Sequence, residues 1–158
     1  MIRPLAPEDV ATVVAIADSA WQDIYAMFRR TYGEALFAAM VPDAATAKGD
    51  QVRHTCEAHP ERVFVCEEAG QCVGFVTFRL DEEGKIGEIG NNGVALAWRS
   101  RGIGQQMYAV VLDHMRAAGM RFAKVHTGLD EAHAPARRAY ERAGFDIQHQ
   151  DVNYFMEL

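Results

Sequence analysis

Apolar positions along the chain change period repeatedly, and each change marks an element boundary. Val10, Val13, Val14, Ala17, Trp21, Ile24, Tyr25 and Phe28 recur every three or four residues, the spacing of one helical face. Pro7-Glu8-Asp9 supplies the proline and acids of a first helical turn, so a helix is predicted from there to about Met27. A short strand, Met1 to Leu5, precedes it. Two weaker helical segments follow, one from Gly33 through Met40 and one from Pro42 to about Ala58, interrupted near Gly49. From Glu61 the texture becomes β-branched and aromatic. Arg62 to Glu67, Cys72 to Leu80 and Lys85 to Trp98 read as three strands joined by turns at Ala69-Gly70 and Asp81 to Lys85. No proline occurs from Glu61 to Ala134, as central strands require.

Helical period returns after Gly102. From Ile103 the apolar positions Met107, Val110, Val111 and Met115 fall four, seven, eight and twelve residues on. This helix ends near Gly119, and Arg121 to Thr127 is the next strand. A strand, helix, strand crossover makes that pair parallel. Pro135 opens a last helix carrying Ala136, Ala139, Tyr140 and Ala143 on one side, and Gly144 stops it. Phe145 to Gln150 and Val152 to Met156 alternate as two closing strands. The predicted class is α+β: a mostly antiparallel sheet with one parallel pair, flanked by helices.

With 158 residues, 49% of them hydrophobic, the chain is long enough for one domain with a real core. It divides into a helical region over 1–60, a sheet with its loop and helix over 61–128, and a helix and hairpin over 129–158. The net charge of −6 argues against nucleic acid, whose phosphates need a basic footprint, and favours a cationic acceptor by long-range attraction. No apolar run approaches the roughly 20 residues of a membrane span. Met1-Ile2-Arg3-Pro4 has no apolar signal region, and Cys56, Cys66 and Cys72 lack metal spacing. These features predict a cytoplasmic protein with reduced thiols and no metal.

The candidate chemistry begins at Arg99-Ser100-Arg101-Gly102-Ile103-Gly104. A basic glycine turn between a strand and a helix can hold phosphate, because the first helical amides lack internal partners and the dipole favours an anion. Gly102 and Gly104 remove the Cβ atoms that would keep a phosphate off the backbone, and Arg99 and Arg101 can add charge-assisted contacts. The turn has neither the Gly-Lys-Ser/Thr of a P-loop nor the third glycine of a dinucleotide fingerprint.

Two motifs together resemble the GNAT-type N-acetyltransferases: Val94-x-Leu96-x-x-Arg99-x-x-Gly102-x-Gly104 and Ala136-x-x-x-Tyr140-x-x-x-Gly144-Phe145. The order of predicted elements is similar from end to end. The resemblance implies the GNAT fold, acetyl-CoA as donor and a primary amine as acceptor, either a small molecule or a peptide N-terminus or lysine. Two parallel strands would part to admit the pantetheine arm, with backbone groups of Val94, Ala95 and Leu96 beside it. Amides from Arg101 through Ile103 and Gly104 to Gln105 would cradle the pyrophosphate. Leu96 stands where many relatives have proline.

Tyr140 matches the family tyrosine near the coenzyme sulfur, and its residue-level alternative is a core aromatic. Glu88, eleven residues before Arg99, matches a glutamate that some relatives use as general base; otherwise it is a solvated strand residue. If no bulge intervenes, Glu88, Asn92 and Val94 share one face of their strand. The amide of Asn92 is the candidate for polarising the acetyl carbonyl. His133 occupies the position where relatives commonly carry an asparagine that bonds the pantetheine arm. It can donate one hydrogen bond, titrate beside the thioester, or simply begin a helix. No cysteine lies in either motif, so direct transfer in a ternary complex is expected. A coenzyme-binding module without turnover is the alternative, and a homodimeric assembly is left open.

Overall fold

The computed structural model describes all 158 residues. Five strands, β1 (Ile2–Pro4), β2 (Val63–Glu68), β3 (Gln71–Asp81), β4 (Ile86–Val94) and β5 (Phe122–Val125), form one sheet in chain order. The first three pairings are antiparallel and β4 pairs with β5 in parallel. Helices α1 (Val10–Tyr32), α2 (Glu34–Met40) and α3 (Ala47–Ala58) precede the meander; α4 (Ile103–Ala117) makes the crossover and α5 (Ala134–Arg142) follows β5.

Side-chain alternation gives the sheet two buried faces. Val63, Val65 and Phe75 pack with Val13, Ile16 and Ala17 of α1 and Val52 of α3. Val76, Phe78 and Ile89 pack on the other side with Ile103, Met107, Val111 and Met115 of α4. These four α4 residues belong to the apolar stripe predicted from spacing, whose fifth member, Val110, stays outside this core. At the N-terminal edge the Arg3 guanidinium grips the buried Asp9 carboxylate at 2.6 and 3.0 Å, and Asp9 also accepts from the Ala6 amide at 2.9 Å.

Several expectations are corrected. The first helix continues to Tyr32 and is separated from α2 by Gly33. Gly49 interrupts nothing: it lies buried within α3, where its amide donates to Asp18 at 2.6 Å. β4 ends at Val94, and Leu96–Trp98 form a 3₁₀ turn. The two closing strands do not form: residues 145–158 pair with no sheet edge. Ile147, Val152, Tyr154 and Met156 are 73–92% exposed. Alternation specifies a strand only where a partner edge buries one face, and no edge covers this segment.

The position of the site is set by β4. Val76 opposes Asn92 while Phe78 opposes Ile89. Two steps on β3 therefore match three on β4, which is a bulge at Gly90-Asn91. Pairing with β5 extends only from Ile86 to Ile89. Beyond the bulge the outward edge of β4 has no strand partner, and a cleft opens there.

Candidate active site

The cleft has a volume of about 1220 Å³ and runs from the Arg99–Gly104 turn to a wall built by α1 and α3. At one end, Gly102 caps α4 in the left-handed region at φ 79°, and no side chain caps the helix. The first amide to close an intrahelical bond is that of Gln106, to the Gly102 carbonyl. A Cβ built on Gly104 would meet nothing within 4 Å. The start of α4 thus offers unpaired amides beside open space, the physical requirement for an anion.

The arginines brace this turn. Arg99 donates through Nε to the Val94 carbonyl at 3.2 Å. Arg101 donates to the Ala97 carbonyl at 3.1 Å and lies 4.6 Å from the Trp98 ring centroid. The Ala95 amide is bonded to the Val73 carbonyl at 2.8 Å, whereas the Val94 carbonyl, which accepts from Arg99, has a second lone pair. Leu96 is 71% exposed at the mouth of the turn. The Gln105 side chain donates to the Ala139 carbonyl at 2.6 Å, tying α4 to α5.

Midway along the cleft, β4, α4 and α5 meet in a chain of three polar side chains. Asn92 Nδ2 donates to the Gly90 carbonyl at 3.1 Å and to Tyr140 Oη at 3.0 Å, and Tyr108 Oη donates to Asn92 Oδ1 at 2.8 Å. The directions are fixed by chemistry. A carbonyl only accepts, so the Asn92 nitrogen faces Gly90 and its oxygen faces Tyr108. Tyr140 therefore accepts from Asn92 and retains its own hydroxyl hydrogen for another partner. Burial and the neighbouring Tyr140 raise the pKa of Tyr108, keeping it a phenol. The Tyr140 ring is 7% exposed and packs on Tyr108 and Phe145. Tyr140 is both a core aromatic and a cleft-lining hydroxyl. The side chain of Asn92 orients Tyr140, so its donor is already engaged.

Glu88 lines the same cleft from the other face of the sheet. Ile89 belongs to the α4 core, which turns Glu88 to the opposite face. The bulge then brings Asn92 and Val94 back to the α4 side, so the expected shared face of Glu88 and Asn92 does not exist. Arg79 holds the Glu88 carboxylate at 2.6 and 3.0 Å, and Lys124 lies 3.2 Å away. Burial pushes this carboxyl upward, but the hydrogen bonds from Arg79 and Lys124 outweigh it and leave the pKa below the ordinary range. A carboxylate held by two cations is a weak proton acceptor.

At the start of α5, His133 Nδ1 lies 2.7 and 2.9 Å from the Asp130 carboxylate oxygens. Asp130 also accepts from the His133 amide at 3.1 Å. Burial raises the Asp130 pKa, but the His133 hydrogen bonds prevail and lower it. With Nδ1 committed to Asp130, the free His133 nitrogen is Nε2. The ring lies 6.4 Å from that of Phe28 on α1 and lines the cleft. Asp130 and Tyr108 were not singled out from the sequence. Asp130-x-x-His133 is legible afterwards as a side-chain cap of a helical turn, whereas Tyr108 is hidden among apolar helix positions.

The class is thus a mixed five-stranded sheet whose one parallel pair splays beside an uncapped helix start. Residues 21–145 match the acetyltransferase (GNAT) family, and the chain belongs to it. Mycothiol acetyltransferase from Streptomyces bingchenggensis is 30% identical over 98 residues, covering 62% of this chain and 31% of that protein. The chain thus matches about a third of the length of that relative. The PaiA N-acetyltransferase from Thermoplasma acidophilum, solved with coenzyme A, superposes with a TM-score of 0.72 at 15% identity, over 96% of this chain and 92% of that one. A GNAT family acetyltransferase from Brucella melitensis, solved with acetyl-CoA, gives 0.64 at 22% identity, over 93% and 82%. These two likenesses concern the fold.

Proposed function

We propose that the protein transfers the acetyl group of acetyl-CoA directly to a primary amine, with both held in the cleft at once. The observation that carries this reading is the Tyr140 hydroxyl: it accepts from Asn92, keeps its proton, and lines the same cleft as the unpaired amides of α4. That combination also favours turnover over a binding-only module, because a module that merely holds the coenzyme needs no oriented proton donor.

Acetyl-CoA brings the acetyl group as a thioester. The α4 amides from Ile103 to Gln105 receive its pyrophosphate, and the open edge of β4 beyond the bulge accompanies its arm. The amine must attack as the free base. For a lysine-like amine of pKa about 10.4 this costs about 4 kcal/mol near pH 7.4; for an α-amine of pKa about 8 it costs under about 1 kcal/mol. His133, with Nδ1 anchored by Asp130, presents Nε2 to take that proton. Glu88, neutralised by Arg79 and Lys124, serves the sheet face instead. As the tetrahedral intermediate collapses, Tyr140 gives its proton to the departing thiolate while Asn92 holds the phenol in place, and the second proton lost by the acetylated nitrogen restores the phenol.

Thiol release from acetyl-CoA, followed across a panel of primary amines, tests the reading. Acetylated product with at least one amine supports it. Binding of acetyl-CoA without thiol release to any amine would return the chain to a binding module.

A further inference from the structure

The wall opposite Tyr140 contains a cation without a counter-charge. Lys48, at the start of α3, directs its ammonium over the Trp21 ring at 4.5 Å from the centroid. Its hydrogen bonds go to two neutral amide oxygens, Gln51 Oε1 at 2.6 Å and Asn91 Oδ1 at 3.3 Å. No carboxylate lies within ion-pairing distance of it, and burial alone lowers its pKa. A half-buried ammonium loses hydration that a ring face and two amides replace only in part.

The other charges around the cleft sharpen the contrast. Glu88 is bound by Arg79 and Lys124, and Asp130 by His133. The remaining cleft carboxylate, Asp23, is exposed on α1. The acidic balance of the whole chain predicted a cationic acceptor, yet the interior of the cleft holds an unsatisfied positive charge. Local charge decides what fits there, because long-range fields are screened within about 8–10 Å at ordinary ionic strength.

Position completes the picture. Lys48 touches Asn91, and the next residue, Asn92, holds Tyr140. Consecutive Cα atoms are about 3.8 Å apart, and the bulge sends the two side chains to opposite faces of β4. Lys48 and Tyr140 line the same cleft, and the residues they bond are neighbours on β4, so an anion on Lys48 and an amine facing Tyr140 occupy one continuous space. We infer that the acceptor is a small amine carrying a carboxylate, which Lys48 receives while Trp21 covers the carbon chain. The inference rests on the acetyl-transfer reading for the amine's end of the cleft. A polycationic amine would meet Lys48 with like charge.

Matched pairs of acceptors test it: β-alanine with β-alaninamide, and 4-aminobutyrate with 4-aminobutyramide. Each is titrated calorimetrically into the protein saturated with coenzyme A, and each is assayed for thiol release with acetyl-CoA. The carboxylates should bind about ten- to a hundredfold more tightly than their amides, the scale of one charge-assisted hydrogen bond. In Lys48→Met, which keeps the stem over Trp21, that ratio should fall towards one; Lys48→Gln serves as a second neutral variant. Equal binding of the pair, absence of carboxylate binding, or a preference that survives both substitutions overturns the inference. Lys48-dependent binding without thiol release keeps the carboxylate site and removes the transferase reading. Equal thiol release from both members of each pair does the reverse.

Discussion

Asn92 donates its side-chain amide to the phenol oxygen of Tyr140 at 3.0 Å while Tyr108 donates to the other end of the same amide at 2.8 Å. The three groups come from β4, α5 and α4 and form a directional relay. Tyr108→Phe removes the far end. Asn92 Oδ1 then loses its partner, only the Gly90 carbonyl still orients the amide, and Tyr140 is less firmly held. Turnover should fall about tenfold, the effect of one net hydrogen bond of about 1–1.5 kcal/mol, while the KM for acetyl-CoA changes little. Steady-state kinetics separate the two.

The start of α4 is testable without backbone strain. Gly104 has open space where a Cβ would sit and, unlike Gly102, has no positive φ. Gly104→Val should fold with a melting temperature within a few degrees of the parent. It should lose most of the stabilisation given by acetyl-CoA, because ligand stabilisation follows affinity for the folded state. An unchanged ligand-induced shift would remove the phosphate from this helix start.

Glu88 and His133 are distinguished by the pH profile. Glu88→Gln should leave the acidic limb of kcat/KM where it is, since the carboxylate is already committed to Arg79 and Lys124. His133→Ala should lower kcat/KM by about 10²-fold or more, the lower range for a general base. The reverse result would make Glu88 the base.

Acid stability reads out the Arg3–Asp9 pair. The hydrogen bond from Arg3 holds the buried Asp9 carboxyl below its ordinary pKa of 3.8, and burial opposes this less strongly. A carboxyl depressed on folding contributes stability that is fully present above its unfolded pKa and is lost as pH falls through the folded value. Asp9→Asn should therefore destabilise the protein by about 2 kcal/mol near neutrality, the scale of one charge-assisted hydrogen bond, because Arg3 keeps Glu67 as its second partner. The difference between variant and parent should shrink below about pH 4. Denaturant melts at neutral and acid pH measure both.

Local chemistry was legible in the sequence and long-range register was not. Arg99 to Gly104 announced itself because a glycine turn and the helix it starts lie within a few residues. Tyr140 was legible through its spacing to Ala136 and Gly144. The bulge at Gly90-Asn91 was not: the segment Ile86 to Val94 reads equally well with or without an extra residue, and that residue decides which face Glu88 occupies. Lys48 and Asn91 are 43 residues apart, and Asn92 and Tyr140 are 48 apart. Only the folded sheet brings each pair together. The closing strands failed for the opposite reason, because Phe145 to Met156 alternates correctly but pairs with no sheet edge, and β5 remains the last strand.

Tyr140→Phe measures the central claim most directly. The substitution deletes one oxygen and keeps the ring on Tyr108 and Phe145, and Asn92 retains the Gly90 carbonyl as a partner. Thiol release at saturating amine and acetyl-CoA should drop by about 10²–10⁴, the usual yield of general acid catalysis, with acetyl-CoA affinity nearly unchanged. Turnover within a fewfold of the parent, in a variant that folds and binds acetyl-CoA normally, would contradict proton delivery by Tyr140 and leave it a residue of the core.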